Sequence, residues 1–200
     1  MTKQYDMDNL LYANLKELPI VDLAPVYNNG VRGRTMSASS CNWLLPKVRE
    51  AGVKVIIDLR TADHTDKFER KVINAGLIYH HISIDSKHAD ARDILDSLPD
   101  FFQWIDDGDF YIACAMGLHR TDIALSLYYV FNPSVPYGCV PELRGHRKGN
   151  VLRCDDIARR LNSIMNALTP ADFARLSLPD DYREEFVRRK KNLFAVNSIF

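Results

Sequence analysis

Apolar positions fall into short blocks of two kinds, and their alternation is the first structural signal in the chain. Residues 53–59 (VKVIIDL) form an apolar run rich in β-branched side chains, which predicts a buried strand. The run follows Glu50-Ala51-Gly52, where a glycine can close a preceding helix in the left-handed conformation. The next segment, TDKFERKVINAGL, offers Thr65 as an N-cap, Phe68, Val72 and Ile73 at helical spacing, and Gly76 at its far end. It predicts a short amphipathic helix. Residues 79–84 (YHHISI) predict a second strand, with His80 and His81 on opposite faces, one toward the core and one toward solvent. After the polar stretch SKHADARD, Ile94, Leu95, Leu98, Phe101, Phe102 and Ile105 share one helical stripe. Pro99 inside that stripe predicts either a kink or a new helix that begins with Ser97 or Leu98 outside it. Residues 110–113 (FYIA) predict a third strand after the turn signal Asp107-Gly108-Asp109, and residues 122–131 return to a helical pattern. Strand alternates with helix, which predicts an α/β layered fold on a largely parallel sheet.

From Asn132 onward the pattern becomes helical and polar. NPSVPYG reads as a turn-rich connector and ELRGHRKGN as a polar, basic loop. Asp155 or Asp156 can cap a helix that carries Ile157, Leu161, Ile164, Met165 and Leu168, and Thr169-Pro170 opens another. The segment REEFVRRKKNLF predicts a helix with a solvated face of mixed charge, so the run Arg188 to Lys191 reads as plain surface. No internal repeat or low-complexity stretch interrupts the chain.

With 200 residues, 46% hydrophobic and 26% charged, the composition is that of one globular domain over residues 1–200. Within it, residues 36–131 carry the strand–helix core and residues 132–200 a helical C-terminal extension. Lysine plus arginine equals aspartate plus glutamate at 26 each, so the broad positive field of a nucleic-acid binder is missing and polyanion binding would need a local site. Cys41, Cys114, Cys139 and Cys154 show no paired short spacing, which argues against a zinc cage and a dense disulfide framework and for a reducing compartment. His64, His80, His81, His88 and His146 lack metal-binding spacing as well. The start, MTKQYDMDNLLYANLKELP, has neither the basic n-region nor the apolar run of a signal peptide, and no segment approaches 18 apolar residues. These features predict a soluble, unexported, cytoplasmic chain without a membrane span.

The chemistry concentrates in Cys114-Ala115-Met116-Gly117-Leu118-His119-Arg120-Thr121, between an apolar strand and a helix. Backbone amides in such a segment can curl into a nest at the helix N-terminus, where their dipoles converge on an anion. A thiolate on Cys114 would be stabilised there and would serve as nucleophile toward phosphorus. Arg120 offers a planar fork able to hold two equatorial oxygens, a geometry that lysine lacks. Gly117 permits close backbone approach. Thr121 would place a hydroxyl beside the sulfur, and His119 either contacts substrate or packs against its neighbours.

At these residues the sequence resembles the cysteine-dependent protein tyrosine phosphatase superfamily, signature His-Cys-x5-Arg-Ser/Thr, and within it the compact dual-specificity branch. The resemblance covers residues 36–131. It implies a central, mostly parallel sheet flanked by helices and a two-step mechanism through a phosphocysteine, without metal or cofactor. It also implies Ala115, Met116, Gly117, Leu118, His119 and Arg120 as the phosphate-binding loop. The family's general acid is an aspartate on a loop about thirty residues before the cysteine, and Asp85, 29 residues upstream, matches it. Asp90 is the fallback and Asp63 a weaker one; the plainer alternative for Asp85 is a loop carboxylate that caps a turn. Two positions depart from the pattern. Ala113 stands where histidine is usual, which implies a less assisted thiol and reduced but real activity, and Asp122 stands where glycine is frequent.

The resemblance implies a phosphorylated protein or small phosphorylated molecule as substrate. Superfamily members that act on phosphoinositides often carry lysines in the loop, and this one has none, which favours phosphotyrosine or a phosphoprotein. Inositol phosphates are the alternative if Arg144, His146, Arg147 and Lys148 come near the loop. A phosphate-binding pseudoenzyme is a further reading, motivated by Ala113. VIIDLR is similar to the sulfur-transferring rhodaneses, but their usual active loop spans one residue fewer before the arginine. Cys41, Cys139 and Cys154 read as structural thiols, one of which could protect Cys114 as a disulfide on oxidation.

Overall fold

The computed structural model describes residues 9–61, 65–85, 90–145, 147–148, 151–152 and 155–198, the side chains of 147–152 excepted. Asp63, His64, His88, His146 and Cys154 lie outside the described residues. The chain divides into two compact units, Met1–Asp85 with Gln103–Thr121, and Ser86–Phe102 with Asp122–Phe200.

The first unit is built on a five-stranded sheet. Its strands are β1 (Ala24–Pro25), β2 (Val31–Arg34), β3 (Val55–Asp58), β4 (Ile78–His81) and β5 (Phe110–Cys114), in the spatial order β1-β2-β5-β3-β4. Every pairing is parallel except β1 with β2, so the sheet is mostly parallel, as the alternation predicts. The three strands read from the sequence are β3, β4 and β5. The second ends earlier than predicted: Ile82 donates the last ladder bond to the Asp58 carbonyl, and Ile82 and Ile84 continue as buried chain without a partner strand. The first fifty residues hold elements that the periodicity does not reveal, namely β1, β2, α1 (Leu10–Leu15) and α2 (Cys41–Glu50).

One face of the sheet is covered by α1, α2 and α3 (Asp66–Asn74), whose Leu15, Leu44, Leu45, Val48, Phe68 and Val72 pack with Ile56, Tyr111 and Ala113. Gly52 follows α2 and Gly76 follows α3, both at positive φ, the helix-ending role expected of them. Because side chains alternate along a strand, Ile112 and Cys114 of β5 face away from this cluster, together with Arg32 and Arg34 of β2 in register beside them. The carboxyl ends of β2, β3, β4 and β5 therefore gather at one edge with Cys114 among them. Neither histidine of β4 faces open solvent. His81 donates through Nε2 to the Arg60 carbonyl at 2.6 Å, and His80 stacks on Trp104 at 4.0 Å.

Helix α4 (Ala91–Asp106) runs through Pro99 as one element, so the second helix expected as one alternative does not begin there. Pro99 cannot donate to the Leu95 carbonyl, but Arg175 does so from outside the helix at 3.1 Å, so the freed acceptor is not left bare. Helix α5 (His119–Phe131) begins three residues before the predicted segment and so takes in Arg120 and Thr121. In the stretch read as a basic loop, β6 (Arg147–Lys148) and β7 (Val151–Leu152) pair as an antiparallel ribbon. The second unit continues with α6 (Asp155–Ala167), α7 (Pro170–Arg175) and α8 (Tyr182–Asn197). Helix α7 starts at Thr169 with a reciprocal capping box to Asp172. Among the described residues no helix is long and apolar enough to cross a membrane.

The charge run on α8 is not plain surface. Arg189 is 4% exposed and donates to the carbonyls of Tyr129 (2.8 Å), Asn132 (3.3 Å), Pro133 (3.3 Å) and Val135 (2.9 Å), and through Nε to Glu185. Helix C-termini leave their last carbonyls without intrahelical donors, and this guanidinium supplies donors where α5 ends. Arg189→Met is expected to lower unfolding free energy by about 3 kcal/mol, because it strands buried acceptors and the Glu185 carboxylate. Arg188→Met, at an exposed neighbour, should cost less than about 0.5 kcal/mol. Urea unfolding of the two variants separates them, and equal small losses would return the run to ordinary surface.

Candidate active site

Strand β5 ends on Cys114 and α5 begins at His119, so four residues make the turn between them. Two constraints shape that turn. Gly117 adopts φ +67° and donates to the Cys114 carbonyl at 3.1 Å. A Cβ placed on Gly117 would lie 2.4 Å from the carbonyl carbon of Gly33 and 2.6 Å from the amide nitrogen of Arg34. Only glycine suits both the left-handed backbone and the approach to β2.

The second constraint is the direction of the carbonyls. The Cys114 oxygen accepts from the Thr35 amide (3.0 Å) and hydroxyl (2.9 Å). The oxygens of Gly117 and Leu118 both accept from Nη2 of Arg32, at 2.9 and 3.2 Å. Arg32 is 2% exposed, a guanidinium buried beneath the loop. In a trans peptide the N–H points opposite to the C=O of the same unit. With three carbonyls pulled toward β2 and its continuation, the amides of Ala115, Leu118 and His119 are turned the other way. The first amides of α5 add to them, since a helix N-terminus gives these donors no intrahelical acceptor. Donors arranged in this way around Cys114 are able to hold a tetrahedral anion.

Cys114 itself is 3% exposed, Ala115 and Met116 are exposed, and Leu118, His119 and Arg120 are half-buried. The Arg120 guanidinium carries no hydrogen bond or ion pair to any described residue. Thr121 is fully buried and its Oγ1 has no hydrogen-bond partner among the described residues, Cys114 included. The next residue, Asp122, is also buried, and its carboxylate accepts the Arg144 amide at 2.8 Å. That bond gives the aspartate a fastening role that glycine could not perform. The Arg144 side chain pairs with Glu142 at 3.1 Å.

Asp85 is half-buried and stands four residues past the end of β4, at the same sheet edge as Cys114. Two strand spacings, roughly 10 Å, separate the axes of β4 and β5. Asp90 has a different occupation: it accepts the Arg92 amide at 2.9 Å just before α4, as a helix cap. Ala113 pairs in register with Asp58 and its carbonyl accepts the Leu59 amide at 2.8 Å.

Three groups at this edge escape a reading of the sequence. Arg32 is one, because nothing in VRGR distinguishes an arginine buried under a loop from one in solvent. Asp58 and Arg60 are the others. Asp58 is fully buried and receives two guanidinium nitrogens of Arg60 at 2.7–3.0 Å, the Arg60 amide at 3.0 Å and the Tyr79 hydroxyl at 3.0 Å. Burial alone would lower the Arg60 pKa, but the Asp58 carboxylate outweighs it and the net shift is upward. Burial, with Asp58 adding to it, holds the Tyr79 hydroxyl well above the usual phenol range. Tyr111 is raised as well, by burial first and then by its electrostatic interaction with Cys114, and donates to the Arg34 carbonyl at 2.7 Å. Cys41, Cys114 and Cys139 are free thiols; burial pushes Cys41 upward against the nearby Lys71 and Arg60. Among the described residues no three histidine, cysteine or carboxylate side chains are grouped to hold a metal ion.

No protein-family model matches the chain, and no curated protein matches it in sequence. Solved structures do match in three dimensions. A DUF442 protein from Shewanella putrefaciens CN-32, described as a candidate phosphatase, aligns over 89% of this chain and 98% of its own, with a TM-score of 0.51 and 16% identity. TpbA of P. aeruginosa aligns over 74% of this chain and 86% of its own (TM-score 0.46, 16% identity). The core catalytic domain of the PP-IP phosphatase SIW14 from S. cerevisiae aligns over 88% and 96% (TM-score 0.46, 12% identity). The chain thus shares its α/β fold with the Shewanella protein, and the mostly parallel sheet flanked by helices that the resemblance over residues 36–131 implies is the fold observed.

Proposed function

We propose that the chain is a phosphomonoesterase that works through a phosphocysteine on Cys114. The observation that carries this reading is the orientation of the loop. Arg32 and Thr35 draw its carbonyls to one side, so its amides are aimed as a set at whatever sits before Cys114. A ring of donors fixed before substrate arrives costs no reorganisation when charge develops in the transition state. Arg120, without a hydrogen bond or ion pair to any described residue, closes on two oxygens of the bound phosphoryl group. The Cys114 thiolate attacks phosphorus and the P–O bond to the leaving group breaks. Asp85 protonates that leaving oxygen, then takes a proton from the water that cleaves the phosphocysteine. Thr121, its buried hydroxyl without an acceptor, donates to the sulfur as it departs. Phosphotyrosine or a phosphoprotein is the substrate class, since Ala115, Met116, Leu118 and His119 bring no lysine to the loop and Arg144 is occupied by Glu142.

The test is a rapid acid quench during turnover of an aryl phosphate, followed by mass spectrometry of the peptide that contains Cys114. Phosphate on that cysteine is expected. Asp85→Asn should slow turnover about 10²-fold for aryl phosphates and more for alkyl phosphates, whose leaving groups need the proton more. It should also raise the phosphocysteine fraction, because the same residue assists the water. Equal slowing of both substrate types would move the acid to another residue, and an unmodified Cys114 would remove the covalent step.

A further inference from the structure

Arg34 closes β2, in register with Cys114 and on the same face of the sheet. Its Nη2 rests 3.2 Å from the Sδ of Met116, a loop residue that is 44% exposed. A thioether is a weak acceptor, and the Nε of Arg34 is buried with no acceptor among the described residues. No carboxylate lies within ion-pair distance of this guanidinium among the described residues. A cation desolvated on one side, resting on sulfur, has an unmet demand for an anion.

The other arginines of this sheet edge among the described residues are committed. Arg32 holds the loop carbonyls and Arg60 holds Asp58. Arg120 belongs to the phosphoryl group in the reading above, on which the present inference rests. One spare guanidinium at the exposed side of the loop suits one carboxylate, whereas a polyphosphate brings more charge than it can answer. We propose that Arg34 reads an acidic side chain next to the phosphotyrosine of a phosphoprotein substrate, and so sets sequence preference at the mouth of the site. Arg34 is a specificity residue in this account and takes no part in bond breaking.

The test compares two phosphotyrosyl peptides identical except that the residues flanking phosphotyrosine are acidic in one and alanine in the other. Wild type is expected to favour the acidic peptide about tenfold in kcat/KM, through KM, with the preference shrinking as salt rises. Arg34→Gln should bring the ratio to within about twofold and Arg34→Lys should keep part of it, since charge survives but the planar fork does not. A ratio is read, so a general loss of rate in a variant does not obscure the result. A wild-type ratio near one, or a ratio that Arg34→Gln leaves intact, would overturn the proposal. So would an Arg34→Gln variant that weakens inhibition by a small vicinal bisphosphate while its peptide ratio stays as in wild type, because the anion read would then be a phosphate. If no phosphoester turns over, the catalytic reading has failed by itself. The same two peptides titrated against Cys114→Ser, with and without Arg34→Gln, then decide the Arg34 proposal by their Kd ratio.

Discussion

Cys114→Ser is expected to abolish hydrolysis of p-nitrophenyl phosphate, by at least about 10³-fold in kcat, while Tm stays within about 4 °C of wild type. The two side chains differ by one atom of similar shape, so the buried position loses almost no packing. The hydroxyl, in contrast, is far less acidic than a thiol and holds its proton at any pH where the protein folds. The proposed anion nest is made of backbone and should outlive the substitution, so vanadate or phosphate should still bind the variant with wild-type affinity or better. Calorimetric titration alongside the rate assay separates the two effects. Full activity in the serine variant would rule out sulfur as nucleophile. A wild type that binds phosphate but hydrolyses nothing would make the chain a phosphate-binding protein, the reading that Ala113 motivates.

Gly117→Ala is expected to be nearly as damaging, by a different route. The methyl group would enter a space 2.4 Å from the Gly33 carbonyl carbon, at a φ of +67°. Both contacts are backbone, so no side-chain rotation relieves them, and the loop must move off β2. Movement of that kind breaks the Arg32 bonds to the Gly117 and Leu118 carbonyls and releases the amides they orient. Strain at such a position costs about 1–3 kcal/mol, and misplacement of the loop by about 1 Å costs on the order of 10²-fold in kcat/KM. Gly138→Ala is the control: its added Cβ would meet nothing within 4 Å, and both stability and rate should stay near wild type. Thermal melts and kcat/KM for an aryl phosphate check the pair. Equal behaviour of the two alanine variants would mean that the loop has freedom to give way.

The Asp58 cluster supports the same edge from the other face of the sheet. A fully buried carboxylate is tolerable here because Arg60, its own amide and Tyr79 answer it, and the Leu59 amide ties the strand end to Ala113. Ala113, the residue before Cys114, therefore contributes a clamped backbone, and this edge gains rigidity at the position where a histidine would have brought a titratable group.

The sequence alone determined the strand–helix alternation, the loop from Cys114 to Thr121 with its glycine and arginine, and the approximate place of Asp85. These are local or periodic properties: a period of two against 3.6 residues, a short run of chemistry between a strand and a helix, a count along the chain. Only the tertiary structure decided which polar groups are inside. Arg32 and Arg189 look like ordinary surface arginines in VRGR and VRRKK, and both are buried because folding brings bare carbonyls within their reach. Pro99 reads as a helix break until Arg175, eighty residues beyond Leu95, supplies the donor that the Leu95 carbonyl lacks. Long-range hydrogen-bond satisfaction leaves no period in a sequence, since either partner can stand anywhere in it.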